Sequence, residues 1–218
     1  MATARTSAAA RPYHHGSLRE ALVEAGLSLA RTGGPEAVLL RAVSREAGVS
    51  HNAAYRHFAD HDELLGAVGE RCMRRLALLM GTRTDEVRVR QPVKRARAEL
   101  DAIGRAYIEF AQTEPGWFRT AFAAVKSDQP GDHAQLSAAE TPPSARELNP
   151  YQLLSARLDR LVEVGEVPAE RRPGAEYSAW SVVHGLSCLL VDGPLRYLPP
   201  AEIEVAINTA LALVQRGL

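Results

Sequence analysis

No stretch of this chain alternates apolar and polar residues at period two for long enough to make a strand. Apolar residues instead recur three and four apart, the spacing of one helix face. Leu18, Leu22, Ala25 and Leu29 form the first such stripe. The runs are punctuated as helices are. Ser17 and Glu20 in "SLRE" read as a capping box, and "TGGP" at 32–35 ends the first helix. A second, short helix is expected over about 39–47, with Leu40, Val43 and Ala47 inward. Gly48 suits the left-handed position that closes it. Ser50 caps a third, very short helix reaching about Phe58, and Asp60 with Glu63 opens a long fourth helix to about Met80. Further helices are expected near 92–113, 115–125, 149–165, 175–192 and 200–216, with Pro115, Pro150 and Pro200 near their starts. The expected fold class is all-α, with about nine helices. Residues 1–12 read as a flexible arm. Residues 126–148, polar and Pro-rich, read as a mobile loop.

The chain has 218 residues, 46 % of them apolar, enough for one large domain or a small one beside a larger. Charge balances overall, but not along the chain. Residues 1–90 carry thirteen arginines against ten carboxylates, and residues 91–218 carry thirteen cations against sixteen. A mildly basic front half fits one that meets phosphates, although an Arg-rich, Lys-poor composition weakens the argument. Cys72 and Cys188 lie far apart in apolar helical contexts without metal-type spacing, so they read as buried hydrophobes and no cofactor is expected. The N-terminus lacks an apolar core of signal-peptide length. The longest uncharged run, Tyr177 to Val191, is shorter than the roughly 18–20 residues that span a bilayer. A soluble, cytoplasmic protein without a membrane role is expected.

A short helix, a Gly-containing turn at Gly48 and a second short helix from Ser50 describe a helix-turn-helix, or an ordinary helical corner. In the first case the leading turn of the third helix enters a DNA major groove. Free N–H groups at its start also favour phosphate.

The stretch "LLRAVSREAGVSHNAAYRHFADHDELL" (39–65) resembles the DNA-binding signature of the TetR family of bacterial transcriptional regulators. Val43, Ala47, Gly48, Val49, Ser50, Tyr55, His57, Phe58 and Leu64 match its pattern, and "YHHGSLREAL" (13–22) is similar to the arm and first helix of one branch. The resemblance covers about residues 13–68. Four positions depart from the pattern. Leu39 replaces the Thr that caps the second helix, Ser44 an Ala, Ala54 a Leu and His61 a Lys. A Lys would hold phosphate as a fixed cation, whereas His61 does so fully only when protonated. The resemblance implies a three-helix DNA-binding domain over residues 13–60 and a larger regulatory and dimerisation domain over 61–218.

Base readers should project from the first turns of the third helix. His51 and Asn52 are the polar candidates, Asn being able to pair with adenine through two hydrogen bonds; Ala53 suits a thymine methyl. Tyr55 and His57 match family positions that bind backbone phosphates, which position the protein rather than specify sequence. Ser50 both caps and reaches phosphate, Arg41 is a further phosphate candidate, and Arg56 faces either backbone or solvent. Phe58 is expected in the core. His14 and His15 lack a partner for a metal, so no metal site is expected. Arg5 and Arg11 belong either to an arm along DNA or to a solvated tail.

In the back half, "EYSAWSVVHGLSCLLVDG" (176–193) is apolar around nearly its whole circumference and must be covered. The final helix bears Ile203, Ala206, Ile207, Ala210 and Val214 on one stripe. A twofold partner can supply part of the cover, giving a four-helix interface. "AWSVVHG" resembles the Trp-x-x-x-His-Gly feature of a WHG-type branch of TetR C-terminal domains. The resemblance implies a homodimer through the last two helices and a small-molecule site in the domain core. Tyr177, Trp180, His184 and Cys188 share one face. Tyr107, Phe110, Trp117, Phe118 and Phe122 form a second aromatic group. Each is either core or ligand lining. A cavity among them would take an apolar or aromatic effector. The resulting expectation is a homodimeric repressor that leaves a near-palindromic double-stranded DNA operator when its effector binds. An activator of the same family, a helical adaptor and an enzyme are the alternatives. Ser181, His184 and Ser187 share a helix without an acidic orienter, so an enzyme is not expected.

Overall fold

The structure is a computed structural model that describes residues 15–123 and 149–218. The expected arm, with Arg5, Arg11 and His14, and the expected loop at 126–148 lie outside the described residues. Among the described residues there are nine α-helices and no strand. They are α1 (His15–Gly33), α2 (Leu40–Glu46), α3 (His51–Ala54), α4 (His61–Asp85), α5 (Pro92–Thr113), α6 (Pro115–Ala123), α7 (Pro150–Glu163), α8 (Ala175–Val191) and α9 (Pro200–Gly217). Pro92, Pro115, Pro150 and Pro200 each occupy the first position of a helix, where the missing N–H is one that no helical carbonyl would have received. Asn149 caps α7 through a reciprocal box. Its side chain accepts the Gln152 N–H at 2.9 Å, and Gln152 Oε1 accepts the Asn149 N–H at 3.0 Å.

The first three helices enclose Phe58, which is fully buried with Leu22, Val38 and Val43. Truncating a ring so placed costs about 3–5 kcal/mol. Helix α4 belongs to both ends of the molecule. Its Leu64 and Val68 complete the core around Phe58, and its Leu76 and Met80 enter the larger bundle. Arg71 ties α4 to α1 through Glu20 and Glu24. In the larger bundle α5 is central and packs on α4, α6, α7, α8 and α9. One continuous cluster of buried apolar side chains runs from Leu18 to Leu211, so the two ends share a core.

Several expectations need correction. The first helix is already helical at His15, so Ser17 lies inside it and is not its cap, while Glu20 pairs with Arg71. Regular α-helix in α3 covers only His51–Ala54. The chain then continues as a tight turn in which the His57 and Phe58 N–H groups both return to the Ala54 carbonyl, at 2.9 and 3.1 Å. Helix α4 does not stop at Met80 but runs to Asp85. Thr82 and Thr84 donate their hydroxyls to the carbonyls of Leu78 and Met80, so neither side chain competes for the helix amides. By contrast, the partial cover of α8 within one chain is as expected. Tyr177 is 65 % and Leu189 43 % exposed, and on α9 Val205 is 63 % and Leu213 53 % exposed.

Candidate nucleic-acid interface and effector cavity

The turn between α2 and α3 is a Schellman motif. Gly48 stands at φ +67°, its N–H bonds the Arg45 carbonyl at 3.1 Å, and the Val49 N–H bonds the Ser44 carbonyl at 2.9 Å. The buried Ser44 hydroxyl donates to the Leu40 carbonyl at 2.6 Å, so a polar group in place of the family's Ala is satisfied. Ser50 follows in extended conformation and caps α3, its Oγ accepting the Ala53 N–H at 3.2 Å. Asp60 caps α4 through the Glu63 N–H at 2.8 Å. Glu63 reaches back one residue further than expected, to the Ala59 N–H at 2.7 Å. Two caps and one glycine thus hold the leading turn of α3 at the surface.

On that turn Asn52, Tyr55 and Arg56 are exposed, and Tyr55 keeps half of its surface open. His51 is half-buried and stands edge-on to Tyr55, ring centres 4.6 Å apart and planes at 78°. Its Nδ1 is buried without a hydrogen-bond partner among the described residues. Only its other nitrogen is placed to reach outward. Ala53 packs against the core with part of its surface open, and His57 is half-buried. Ala54, in place of the family's Leu, is fully buried. Arg41 is exposed near the start of α2, whose cap position, Leu39, makes no side-chain cap bond. His61 begins α4 with its Nδ1 3.0 Å from Asp62 Oδ1. That carboxylate already holds one of the two ring nitrogens of His61.

A cavity of about 70 Å³ lies at the centre of the larger bundle. Its walls include Met73 and Met80 of α4, Tyr107 of α5, Phe122 of α6, Leu154 of α7 and Trp180 of α8. Gly104 makes room for α9, since a Cβ there would lie 2.5 Å from Leu211 Cδ2. Of the nine aromatic, His and Cys candidates, Tyr107, Phe122 and Trp180 line the space. His184 stands behind them. Trp180 Nε1 donates to Tyr107 Oη at 3.2 Å, and Tyr107 Oη lies 2.8 Å from His184 Nδ1. The Trp can only donate, so every hydrogen finds an acceptor when Tyr107 donates to Nδ1 and His184 carries its proton on Nε2, toward Cys188 Sγ at 3.5 Å. Burial pushes the Tyr107 hydroxyl up and the His184 imidazole down, which keeps both neutral. Phe118 closes on His184, ring centres 5.5 Å apart.

The remaining candidates are elsewhere. Tyr177 is 65 % exposed and does not line the cavity, although it stands about one turn from Trp180 on α8. Phe110 stacks on Trp117 at 6.5 Å. Trp117 faces the other end of the molecule: its Nε1 donates to the Leu27 carbonyl of α1 at 2.8 Å, and its ring lies between the guanidinium groups of Arg31 and Arg75, 5.1 and 4.5 Å from its centre. Gly116 makes that approach possible; a Cβ there would sit 2.2 Å from the Ala30 carbonyl oxygen. Helix α6 therefore joins a cavity wall, through Phe122, to the first helix. Sequence reasoning missed Met73, Met80, Gly104 and Leu211 as lining. The mid-helix Gly104 on an apolar face was the available signal.

Residues 22–68 match the family described as bacterial regulatory proteins, tetR family, and residues 100–214 match the tetracyclin repressor-like C-terminal domain. The chain belongs to the TetR family. TetR-family proteins are DNA-binding transcription regulators. A protein of unknown function from Rhodococcus sp. RHA1 is 27 % identical, with a TM-score of 0.69 over 96 % of this chain and 99 % of that one. A putative tetR family transcription regulator from Shewanella sp. PV-4 shares the fold at 17 % identity, with a TM-score of 0.58 over 91 % and 96 % of the two chains. A tetR-family regulator from Streptomyces coelicolor does so at 21 %, with a TM-score of 0.61 over 91 % and 80 %. No curated protein matches the chain. Among the described residues no group of side chains could hold a metal ion, and no helix is long and apolar enough to cross a membrane.

Proposed function

We propose that this TetR-family regulator is a homodimeric repressor that occupies a near-palindromic operator and leaves it when an apolar effector fills the central cavity. The observation that carries this is the open turn of α3, with Asn52, Tyr55 and Arg56 turned to solvent on a frame fixed by Gly48, Ser50 and Asp60. Asn52 reads a base edge, His51 and Ala53 adjoin it, and Tyr55, His57, Ser50 and Arg41 hold phosphates. The two copies meet through α8 and α9, whose open apolar strips include Leu189, Val205 and Leu213. Two α3 helices then enter successive major grooves about 34–36 Å apart. Trp180, His184 and Gly185 support a place in the WHG-type branch, and such a regulator works in the cytoplasm.

Release follows from where the cavity sits. Met73 and Met80 belong to α4, whose first turns carry the core around Phe58. A ligand larger than the present cavity must move those flexible thioethers, and so favours a different setting of α4. Only a ligand that binds the DNA-incompatible setting better shifts the population. The test is footprinting on the DNA flanking the chain's own gene, followed by anisotropy titration across salt concentrations. A protected, near-palindromic site with saturable, salt-sensitive binding supports the reading. Absence of any such site, or binding indifferent to salt, defeats it.

A further inference from the structure

The following inference rests on the ligand-release reading and deepens it by naming the ligand's chemistry. The central cavity shares part of its wall with a second space. Leu100 and Gln215 also form part of a second recess, of about 450 Å³, at the end of the bundle. That recess is lined by Arg97, Arg171 and Arg216 with Glu166, over an apolar floor of Leu161 and Val167. Three guanidinium groups, two of them already engaged, share the recess with the Glu166 carboxylate and with Leu218. Arg97 pairs with Glu166, and Arg171 donates to the Gly217 carbonyl at 3.0 Å. Arg216 is exposed and has no acidic partner among the described residues. Between the two spaces stands Gln215, held by a 3.4 Å bond from Arg97 Nη1 to its Oε1. A bond that long is weak, so the Gln215 side chain can swing aside at little cost.

The inner cavity has the opposite character. Its one carboxylate, Asp101, is occupied by Arg105 Nε at 2.7 Å, and apart from Gln215 the rest of the wall is apolar or aromatic. A ligand that filled both spaces would need an apolar body and a negatively charged end. A cationic end would meet the arginine surplus, and a neutral one would leave it unused. We propose that the effector is an amphipathic acid, its apolar chain lying among Leu100, Ile103, Leu154 and Leu211 and its anionic head held by Arg97 and Arg216. The head is a carboxylate or a phosphate, both of which match the guanidinium fork.

The experiment titrates the full-length protein with decanoate, decyl phosphate, decanol and decyltrimethylammonium, by calorimetry and by quenching of tryptophan fluorescence. Either anion should bind about tenfold more tightly than decanol, and the cation should bind least; the tighter of the two anions identifies the head. Arg216→Ala should weaken the anions about fivefold and leave decanol unchanged, the effect expected of one exposed ion pair. Leu154→Trp should abolish binding of every probe; if that variant does not fold, Val214→Phe takes its place. Decanol binding as tightly as the anions, a preference for the cation, or no binding by any probe overturns the proposal. Operator release separates the two claims. Anion binding that leaves the operator complex intact upholds the site and defeats ligand release, whereas decanol-driven release upholds the reading and defeats the acidic head.

Discussion

Asn52 and Tyr55 stand three residues apart on the same exposed turn, and their chemistry separates the roles proposed for them. An amide pairs with one base edge in two ways at once, whereas a phenol bonds a phosphate that every sequence offers. Asn52→Ala should therefore relax base preference at one operator position by about 1–3 kcal/mol. Tyr55→Phe with His57→Ala should weaken binding equally on all sequences. Titration against randomised sites distinguishes them, and a uniform loss from Asn52→Ala would refute its assignment. His184 makes a different prediction. Burial lowers its pKa in the folded protein below the 6.5 of the free side chain. The unfolded chain then binds the proton more readily, so stability falls as pH drops through about 6.5 and levels off below the lowered folded value. Thermal unfolding between pH 7.5 and 5 should show this decline. His184→Gln should flatten it, because an amide carries no titrating proton.

Two helix junctions carry most of the architecture, and a glycine serves each for a different reason. Gly48 is needed for its backbone conformation. A Cβ at that position meets nothing within 4 Å, but φ is +67°. Gly48→Ala should cost about 1–2 kcal/mol, the strain of a left-handed residue alone. Gly116 is needed for space. Its Cβ would collide with the backbone oxygens of Ala30 and Arg31 at 2.2 and 2.3 Å, atoms that cannot move without α1. Gly116→Ala should cost roughly 3 kcal/mol, at the upper end of overpacking, by prising α6 from α1. Denaturant unfolding ranks the two; a smaller loss at Gly116 would mean that α6 is not seated as described. The Trp117 bond to Leu27 would break with it, so the Gly116 variant should also blunt any effect of effector on operator affinity.

For the molecule as a whole the open question is what covers α8 and α9. Val205 and Leu213 are more than half exposed and make no contribution to the core of a single chain. Replacing both with Glu should leave each chain folded, since exposed substitutions of this kind change the stability of the single chain by no more than about 0.5 kcal/mol per site. It should abolish self-association in light scattering and, with it, operator binding. A double variant that stays dimeric would move the interface elsewhere. The proposed pairing would account for an apolar helix such as α8 in a chain that buries only part of it.

Much of this could be read before any coordinates. Helix starts at Pro115, Pro150 and Pro200, the turn at Gly48, and the caps at Ser50 and Asp60 are local matters, settled by groups within four residues of one another. The exposed reading turn follows from them, and so does the all-helical fold. Departures appear where a local signal has a competitor: Ser17 lies inside a helix that begins earlier, and α4 continues past Met80 to Asp85 with the Thr82 and Thr84 hydroxyls bonded back to carbonyls of its preceding turn. The cavity is another matter. Periodicity reveals that a helix has an apolar face but not what that face meets. Trp117 and Trp180 looked alike in sequence, yet one bonds the Leu27 carbonyl of α1 and the other lines the hollow. Gly104 meets Leu211, and Arg97 approaches Arg216, across more than a hundred residues. Such pairs arise only when packing brings distant helices together, since side-chain contact depends on position in space and leaves no mark in the spacing of either segment.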